Sequence, residues 1–457
     1  MNPRTQSSPD QPDRIPSEMP QDVPLQDDLR DFQLRIALYS HDTMGLGHKR
    51  RNLLIAQTLA QSLPHASILL ISGMVEGREE HLPQNIDYLA LPALHKSIDG
   101  KYYPRRLELS LQELVAIRSQ VIQAALGTFA PDLFVVDNVP RGAVRELNPA
   151  LEQLRAGGKT RCVLGLRDVL DEPGVVTHEW RRTLNEEAIR QYYDGVWVYG
   201  DRTVFDLVQE YQFAPDIAAK MRYTGYFDQR QRLQFTETSA ESVTASSKDG
   251  LQDLNLPAGK LALCLVGGGQ DGAQLALRFA QAVLPEGMNG VIITGPFMPV
   301  EVQQQIQQYA ASHPRLRILT YVNEPAQLLD KADCLVSMGG YNTTCEVMSF
   351  GKRSLIVPRV APRLEQWIRA KRLHELGWVD VQHPDRVSSD SISQWLAQEQ
   401  TSPVKLRSPI DLNGLSRLPK FALDILQNSA NPSQPDAPFH LPLNTKSGSQ
   451  PIVCQAS

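Results

Sequence analysis

Short, β-rich apolar runs alternate with longer stretches of helical periodicity along most of the chain, and this alternation is the pattern that builds parallel βαβ layers. In the first half the strand candidates are Arg35 to Tyr39, Ser67 to Ile71, Ile86 to Leu91, Leu133 to Asp137, Arg161 to Leu166 and Gly195 to Tyr199. Helical stretches at His48 to Ser62 and Leu107 to Leu126 separate some of them. The second half repeats the theme with strands at Leu261 to Val266, Val291 to Thr294, Arg317 to Thr320, Cys334 to Ser337 and Ser354 to Val357. Its helices are expected at Ala273 to Val283, Val300 to Ala311, Asn342 to Phe350 and Leu364 to Leu376. A length of 457 residues is about three ordinary domains' worth of chain, so more than one core is expected. The expected fold class is α/β, with two doubly wound Rossmann-type domains facing a central cleft. Ligands of such sheets bind outside the carboxyl ends of the strands.

The boundaries follow from composition. Residues 1–30 mix Pro, Gln, Asp and Ser with few aromatics, and are expected to be a disordered leader. Residues 31–232 form the N-terminal domain, 233–258 a linker containing the low-complexity run Glu237 to Asp249, 259–427 the C-terminal domain and 428–457 a disordered tail. With 46 Lys and Arg against 51 Asp and Glu, the net charge of −5 argues against a nucleic-acid footprint. Apolar runs fall far short of the roughly 20 residues that cross a bilayer, and no signal-peptide core precedes the first strand, so a cytoplasmic protein is expected. Cys162, Cys264, Cys334, Cys345 and Cys454 have no metal spacing and read as packing residues.

Each half opens with a strand, a glycine-rich turn and a helix, a geometry that offers backbone N–H groups and a positive dipole end to an anion. The segments are Ser40-His41-Asp42-Thr43-Met44-Gly45-Leu46-Gly47-His48 and Gly267-Gly268-Gly269-Gln270-Asp271-Gly272-Ala273. Neither fits the P-loop pattern, and the first lacks a clean dinucleotide fingerprint.

The most specific stretch runs from Ser337 to Lys352 (SMGGYNTTCEVMSFGK). A strand enters Gly339-Gly340, and Asn342, Thr343 or Thr344 is expected to cap a helix whose N-terminus accepts phosphate oxygens. Glu346, one turn in, either receives both hydroxyls of a ribose or merely complements the helix dipole. Gly351 reads as the residue that ends the helix.

Ser337 to Pro358 resembles the donor-binding segment of GT-B glycosyltransferases, in particular those with a family-28 C-terminal domain. Gly267 to Ala273 is similar to that family's GGSQGA phosphate turn, with Gly269 replacing the Ser and Asp271 inserted. Leu319 to Leu329 resembles the segment whose backbone meets the uracil ring, implying Val322 near the base. Gly45-Leu46-Gly47-His48 is similar to the N-terminal turn whose His faces the acceptor. The resemblance implies transfer of a hexosyl or N-acetylhexosaminyl group from a nucleotide sugar, UDP-linked, to an unidentified glycan, lipid or small-molecule acceptor, with inversion and no cofactor beyond the donor. The family's paired glutamines on the sugar hydroxyls correspond here to Glu365-Gln366, a departure that bears on the identity of the sugar. The basic triplet Lys49-Arg50-Arg51 replaces small and apolar residues, and reads either as support for an anionic acceptor or as a solvated helix face.

His48 has the chemistry of a general base for an acceptor hydroxyl, or else satisfies backbone groups in its loop. Asp137, at a strand end, would orient His48, act as base itself, or cap a helix. Arg167 and Asp168 end another strand and are expected on the acceptor side with Gly45 and Gly47. No acidic or His grouping has metal spacing, so phosphate stabilisation by helix ends and side-chain donors is expected. Leu94 to Arg106 mixes aromatics with cations; it reads as an ordinary loop before a peripheral contact with the inner membrane face. A nonhydrolysing UDP-sugar 2-epimerase and a silent nucleotide-binding module are the alternatives.

Overall fold

A computed structural model describes residues 33–41, 47–73, 82–97, 101–240, 254–322, 324–398 and 408–427. The leader and tail read from composition lie outside these residues, as does most of the low-complexity run. Helix Gln231–Ala240 occupies the start of the segment expected to be a linker.

The first half builds a seven-stranded sheet. Its strands are β1 (Arg35–Tyr39), β2 (Ser67–Ser72), β3 (Ile86–Ala90), β6 (Leu133–Asp137), β7 (Arg161–Arg167), β8 (Gly195–Tyr199) and β9 (Met221–Tyr223). The remaining two, β4 (Leu94–Lys96) and β5 (Tyr102–Pro104), pair as an antiparallel hairpin. The second half builds a six-stranded sheet from β10 (Lys260–Leu265), β11 (Met288–Ile293), β12 (Leu316–Leu319), β13 (Cys334–Ser337), β14 (Arg353–Ile356) and β15 (Asp380–Val381). Strand orders are β3-β2-β1-β6-β7-β8-β9 and β12-β11-β10-β13-β14-β15, and every pairing within them is parallel. Strands β6 and β8 are buried at every position, as the interior strands of a sheet covered on both faces must be. Two doubly wound domains follow, as the alternation of strands and helices requires.

These orders fix where a site can form. In the first sheet the chain winds one way from β1 to β2 and the other way to β6, so the crevice between the ends of β1 and β6 is a topological switch point. In the second sheet the equivalent crevice lies between β10 and β13. The glycine turns after β10 and β13 lie at the second crevice, and Gly47 and His48, which follow β1, lie at the first.

Several expectations change. The helix read as Leu107 to Leu126 begins at Leu111, because Ser110 caps it and Glu113 closes a capping box. The loop expected at Leu94 to Arg106 contains the β4–β5 hairpin; Leu94 is buried in a small core, Tyr103 is exposed, and residues 98–100 are not described. Helix Gly414–Gln427, allotted by sequence to the C-terminal domain, packs instead against helix Gly47–Ser62 of the first. Phe227 and Asn413 form the β-bridge that leads it there. Cys162, Cys264, Cys334 and Cys345 are buried and unpaired, and Cys454 lies outside the described residues. Among the described residues no helix is long and apolar enough to cross a membrane.

The domains are joined by a buried hub. Arg369, wholly inaccessible, gives Asp168 a bidentate pair at 2.6 and 2.8 Å and donates to the Gly339 carbonyl, while the Tyr226 hydroxyl donates to Asp168 at 2.8 Å. Asp168 was expected on the acceptor side. It is fully buried and lines neither cavity described below, because Arg369 and Tyr226 take its oxygens.

Candidate active site

A cavity of about 280 Å³ opens where the two switch points face each other. From the second domain it is lined by Gly267 and Gly268 after β10, by Tyr321 and Val322, and by Gly340, Tyr341, Asn342, Thr343 and Glu346. From the first domain come Gly47, His48, Arg50, Arg51 and Arg167. Gly267 adopts φ +63°, in the left-handed region where a side chain is costly, and nothing stands within 4 Å of where its Cβ would be. Gly340 is equally open. The backbone at both positions is therefore accessible to a ligand.

Helix Tyr341–Phe350 begins at Gly340 with no side-chain cap, so its first N–H groups stay available at the cavity. Asn342 does not cap it as expected; its amide crosses the cleft and donates to the Gly47 carbonyl at 2.9 Å. Thr344 turns back onto the Gly340 carbonyl. Gly351, at φ +61°, ends the helix as the sequence indicates. Glu346 is 5% exposed. Burial pushes its carboxyl upward, and Arg232 and Arg50 oppose that shift. Arg232 lies 3.5 Å from it and is held on its other side by Glu324 at 2.9 Å.

Other donor-side expectations divide. Gly269, Gln270, Gly272 and Gly339 belong to the turns but do not line the cavity. Gly269 sits at φ +92° where a Cβ would strike the Thr294 carbonyl, so its role is conformational. A Cβ on Gly272 would meet Val266, and one on Gly339 would crowd Gln366. Glu365 and Gln366 also miss this cavity. Arg359 draws both away: its guanidinium pairs with Glu365 at 2.6 Å, and its backbone N–H donates to Gln366 Oε1 at 3.0 Å.

On the facing wall, His48 Nδ1 lies 2.5 Å from Asp137 Oδ2. Asp137 is wholly buried, and the guanidinium of Arg51 binds its other oxygen. Burial alone would raise the Asp137 carboxyl; Arg51 and His48 outweigh it and hold the group well below the usual carboxylate range. An ionised carboxylate only accepts, so Nδ1 carries the hydrogen and Nε2 is the proton-accepting atom of His48. His41 stands edge-on to His48 at 6.1 Å, and its imidazole is lowered to about 3, chiefly by burial and then by His48.

Sequence reasoning undervalued the basic triplet. Lys49 and Arg51 are 3% and 4% exposed, which rules out a solvated face. Arg51, one turn after His48, shares its helix face and lies between the rings of Tyr199 and Tyr341. Arg50 crosses the cleft to the Val322 carbonyl at 3.0 Å. The i, i+3 spacing from His48 to Arg51 was the available signal. Gly45 lies outside the described residues.

A second cavity of about 500 Å³ adjoins the first and shares His48 and Arg167 with it. Glu365 and Arg359 face this side, together with Trp180 and Glu179 of helix Pro173–Thr183. Among the described residues no group of three or more His, Cys, Asp or Glu side chains is placed to hold a metal.

Known proteins repeat this architecture at low identity. The putative UDP-N-acetylglucosamine 2-epimerase of Listeria monocytogenes superposes with a TM-score of 0.57 at 11% identity, over 90% of this chain and 100% of that one. The UDP-GlcNAc 2-epimerase of Neisseria meningitidis, bound to UDP-GlcNAc, gives 0.55 at 14%, over 87% and 100%. A UGT transferase of Siraitia grosvenorii in complex with UDP gives 0.51 at 12%, over 87% and 95%. At such identities the likeness shows the fold. In sequence, 146 residues are 29% identical to the UDP-N-acetylglucosamine–N-acetylmuramyl-(pentapeptide) pyrophosphoryl-undecaprenol N-acetylglucosamine transferase of Vibrio atlanticus. That match spans 31% of this chain and 40% of the transferase. The fold is GT-B-like, and residues 263–409, which carry the glycine turns and Glu346, match the glycosyltransferase family 28 C-terminal domain.

Proposed function

We propose that the protein is a glycosyltransferase that moves a hexosyl or N-acetylhexosaminyl group from a nucleotide sugar, UDP-linked, to an acceptor hydroxyl with inversion. The observation that carries this reading is the position of His48 on the wall shared by two cavities, one floored by phosphate-type backbone and Glu346, the other apart from it. In this reading the diphosphate rests on the N-terminus of helix Tyr341–Phe350 and on Gly267 and Gly268, with Glu346 on the ribose and Val322 near the base. The acceptor lies in the second cavity.

The chemistry balances as a single displacement. His48 Nε2 takes the proton of the acceptor hydroxyl while that oxygen bonds to the anomeric carbon. The bond from that carbon to the phosphate oxygen breaks on the opposite face, and its electron pair leaves with the nucleoside diphosphate. Asp137 holds His48 in the required tautomer and stabilises the imidazolium that forms. Arg51 keeps Asp137 ionised, and Arg167, which lines both cavities, offers positive charge to the departing phosphate. No cofactor beyond the donor is invoked.

Fold likeness favours a second reading, an epimerase acting on the UDP sugar itself. The test is product analysis by mass spectrometry of UDP sugars incubated with the protein, with and without a panel of glycan, lipid and small-molecule acceptors. Transfer is expected only with an acceptor present. Conversion of the sugar in its absence would establish the epimerase, and neither outcome in a UDP-binding protein would leave a silent module.

A further inference from the structure

The second cavity is strongly cationic in a chain whose net charge is −5. Among the described residues, seven Lys and Arg side chains line it against two carboxylates, a formal excess of five. Both carboxylates are already engaged, Glu365 by Arg359 at 2.6 Å and Glu179 by Arg363 at 3.1 Å. The five cations left over come from four segments. Lys96 lies on the β4–β5 hairpin, Arg141 and Arg145 follow β6, Arg167 ends β7, and Arg182 is on helix Pro173–Thr183. None of the five has a salt bridge to a carboxylate among the described residues.

Two further observations mark a built site. Buried polar atoms without a hydrogen-bond partner gather here: Nε of Arg141, Arg167 and Arg359, Nδ1 of His41 and Oε2 of Glu365. Burying polar groups unsatisfied is costly; a ligand that supplies acceptors lowers that cost for the three guanidinium N–H groups, and a ligand hydroxyl can donate to the Glu365 oxygen. The rim after β6 is also strained, with positive φ at Val144 (51°) and Arg145 (63°). A branched residue such as Val144 takes that conformation only where the surroundings impose it, as they do at binding sites.

We propose that this cavity binds a soluble acceptor carrying at least two separate anionic groups, phosphates or carboxylates, and presents its hydroxyl to His48. The identification of the cavity as the acceptor side rests on the transferase reading; its charge does not. Cations spread over four segments match negative charge distributed over the ligand. A single diphosphate at the head of a lipid would concentrate its charge at one wall. Val139, Leu170, Val176 and Trp180 supply an apolar surface for the carbon skeleton between the charged groups.

The test is isothermal titration of the full chain with citrate, tripolyphosphate and glycerol, each with and without saturating UDP. Its companion is a variant carrying Arg145→Gln and Arg182→Gln, two exposed side chains without ion pairs among the described residues. Both polyanions should bind with UDP present, at least about tenfold more tightly than glycerol, and the double variant should lose about tenfold in that affinity while its UDP affinity stays within about twofold. Equal binding of glycerol, or polyanion binding indifferent to the substitutions, overturns the proposal. Co-sedimentation with phosphatidylcholine vesicles containing phosphatidic acid separates the sources. Loss of vesicle binding in the double variant would reassign the anion to a lipid headgroup and overturn the soluble class. Polyanion binding without any UDP binding would instead remove the nucleotide reading and leave the anion site standing.

Discussion

His48 Nδ1 and Asp137 Oδ2 lie 2.5 Å apart, although one residue opens a helix and the other closes a strand 89 positions later. The parallel pairing of β1 with β6 brings these ends together, because the two strands finish on the same side of the sheet. Substituting His48 by Ala should therefore lower single-turnover transfer by roughly two to four orders of magnitude while UDP affinity stays near the parent value. Asp137→Asn, which leaves the ring without its carboxylate, should lower the rate comparably, since the amide no longer enforces the tautomer. A His48→Ala rate within about tenfold of the parent, in a protein of unchanged melting temperature, would move the base role elsewhere.

Glu346 faces the first cavity with Arg232 beside it. Glu346→Ala should weaken UDP binding by about 1.5 to 3 kcal/mol, the worth of charge-assisted hydrogen bonds to a ribose. Arg232 keeps Glu324 as partner, so the fold should survive. Titration of UDP against deoxy-UDP sharpens the assignment: the variant should no longer distinguish the two, and a preserved preference would separate Glu346 from the ribose.

Gly340 offers a cleaner steric probe than Gly268. Its φ of −62° and ψ of 147° suit a branched residue, and no atom stands within 4 Å of the added Cβ. At Gly268 the Cβ would already press on Phe297 at 3.3 Å. Gly340→Val should thus keep the melting temperature and lose at least about tenfold in UDP affinity, as a side chain fills the place of a phosphate oxygen. Undiminished binding would put the phosphates away from this turn.

The extent to which the sequence discloses this site depends on range. Strands β1, β6, β8 and β13 coincide with their expected limits, because continuous apolar runs between turn residues carry a local signal. Helix Tyr341–Phe350 is legible from the Gly339-Gly340 turn before it and Gly351 after it. Long-range pairing is not. Nothing near Asp168 in sequence announces Arg369, 201 residues away. The triplet at 49–51 is ambiguous locally, since burial decides whether a cation is a surface charge or part of a buried network.

The Asp168–Arg369 pair should be a stability determinant rather than a catalytic one. Breaking it by Arg369→Ala leaves a buried carboxylate without its counterion and should cost about 3 to 5 kcal/mol in chemical denaturation. The double variant Asp168→Asn with Arg369→Met should recover part of that loss. A single variant as stable as the parent would mean the domains do not depend on this contact.

His41 sets a direction for acid sensitivity. Its folded-state value near 3 lies below the unfolded value of about 6.5, so the unfolded chain takes up the proton first and stability falls as pH drops through that interval. Between pH about 7.5 and about 5 the share due to this residue is about 2 kcal/mol. In His41→Gln the loss of unfolding free energy between those two pH values should shrink by that amount, and an unchanged loss would refute the assignment.

Helix Gly414–Gln427 buries Leu415, Leu418 and Ala422 beside helix Gly47–Ser62, and the Gly414 N–H donates to the Tyr226 carbonyl. A growing polypeptide thus presents the first sheet with one of its coverings missing until residues 414–427 have been made. The second domain must pass out of the ribosome before the N-terminal half can close over its own apolar surface. Any truncation ahead of residue 414, including one placed neatly between the two sheets, removes a wall of the N-terminal domain, so the halves cannot be made as independent proteins without transplanting this helix.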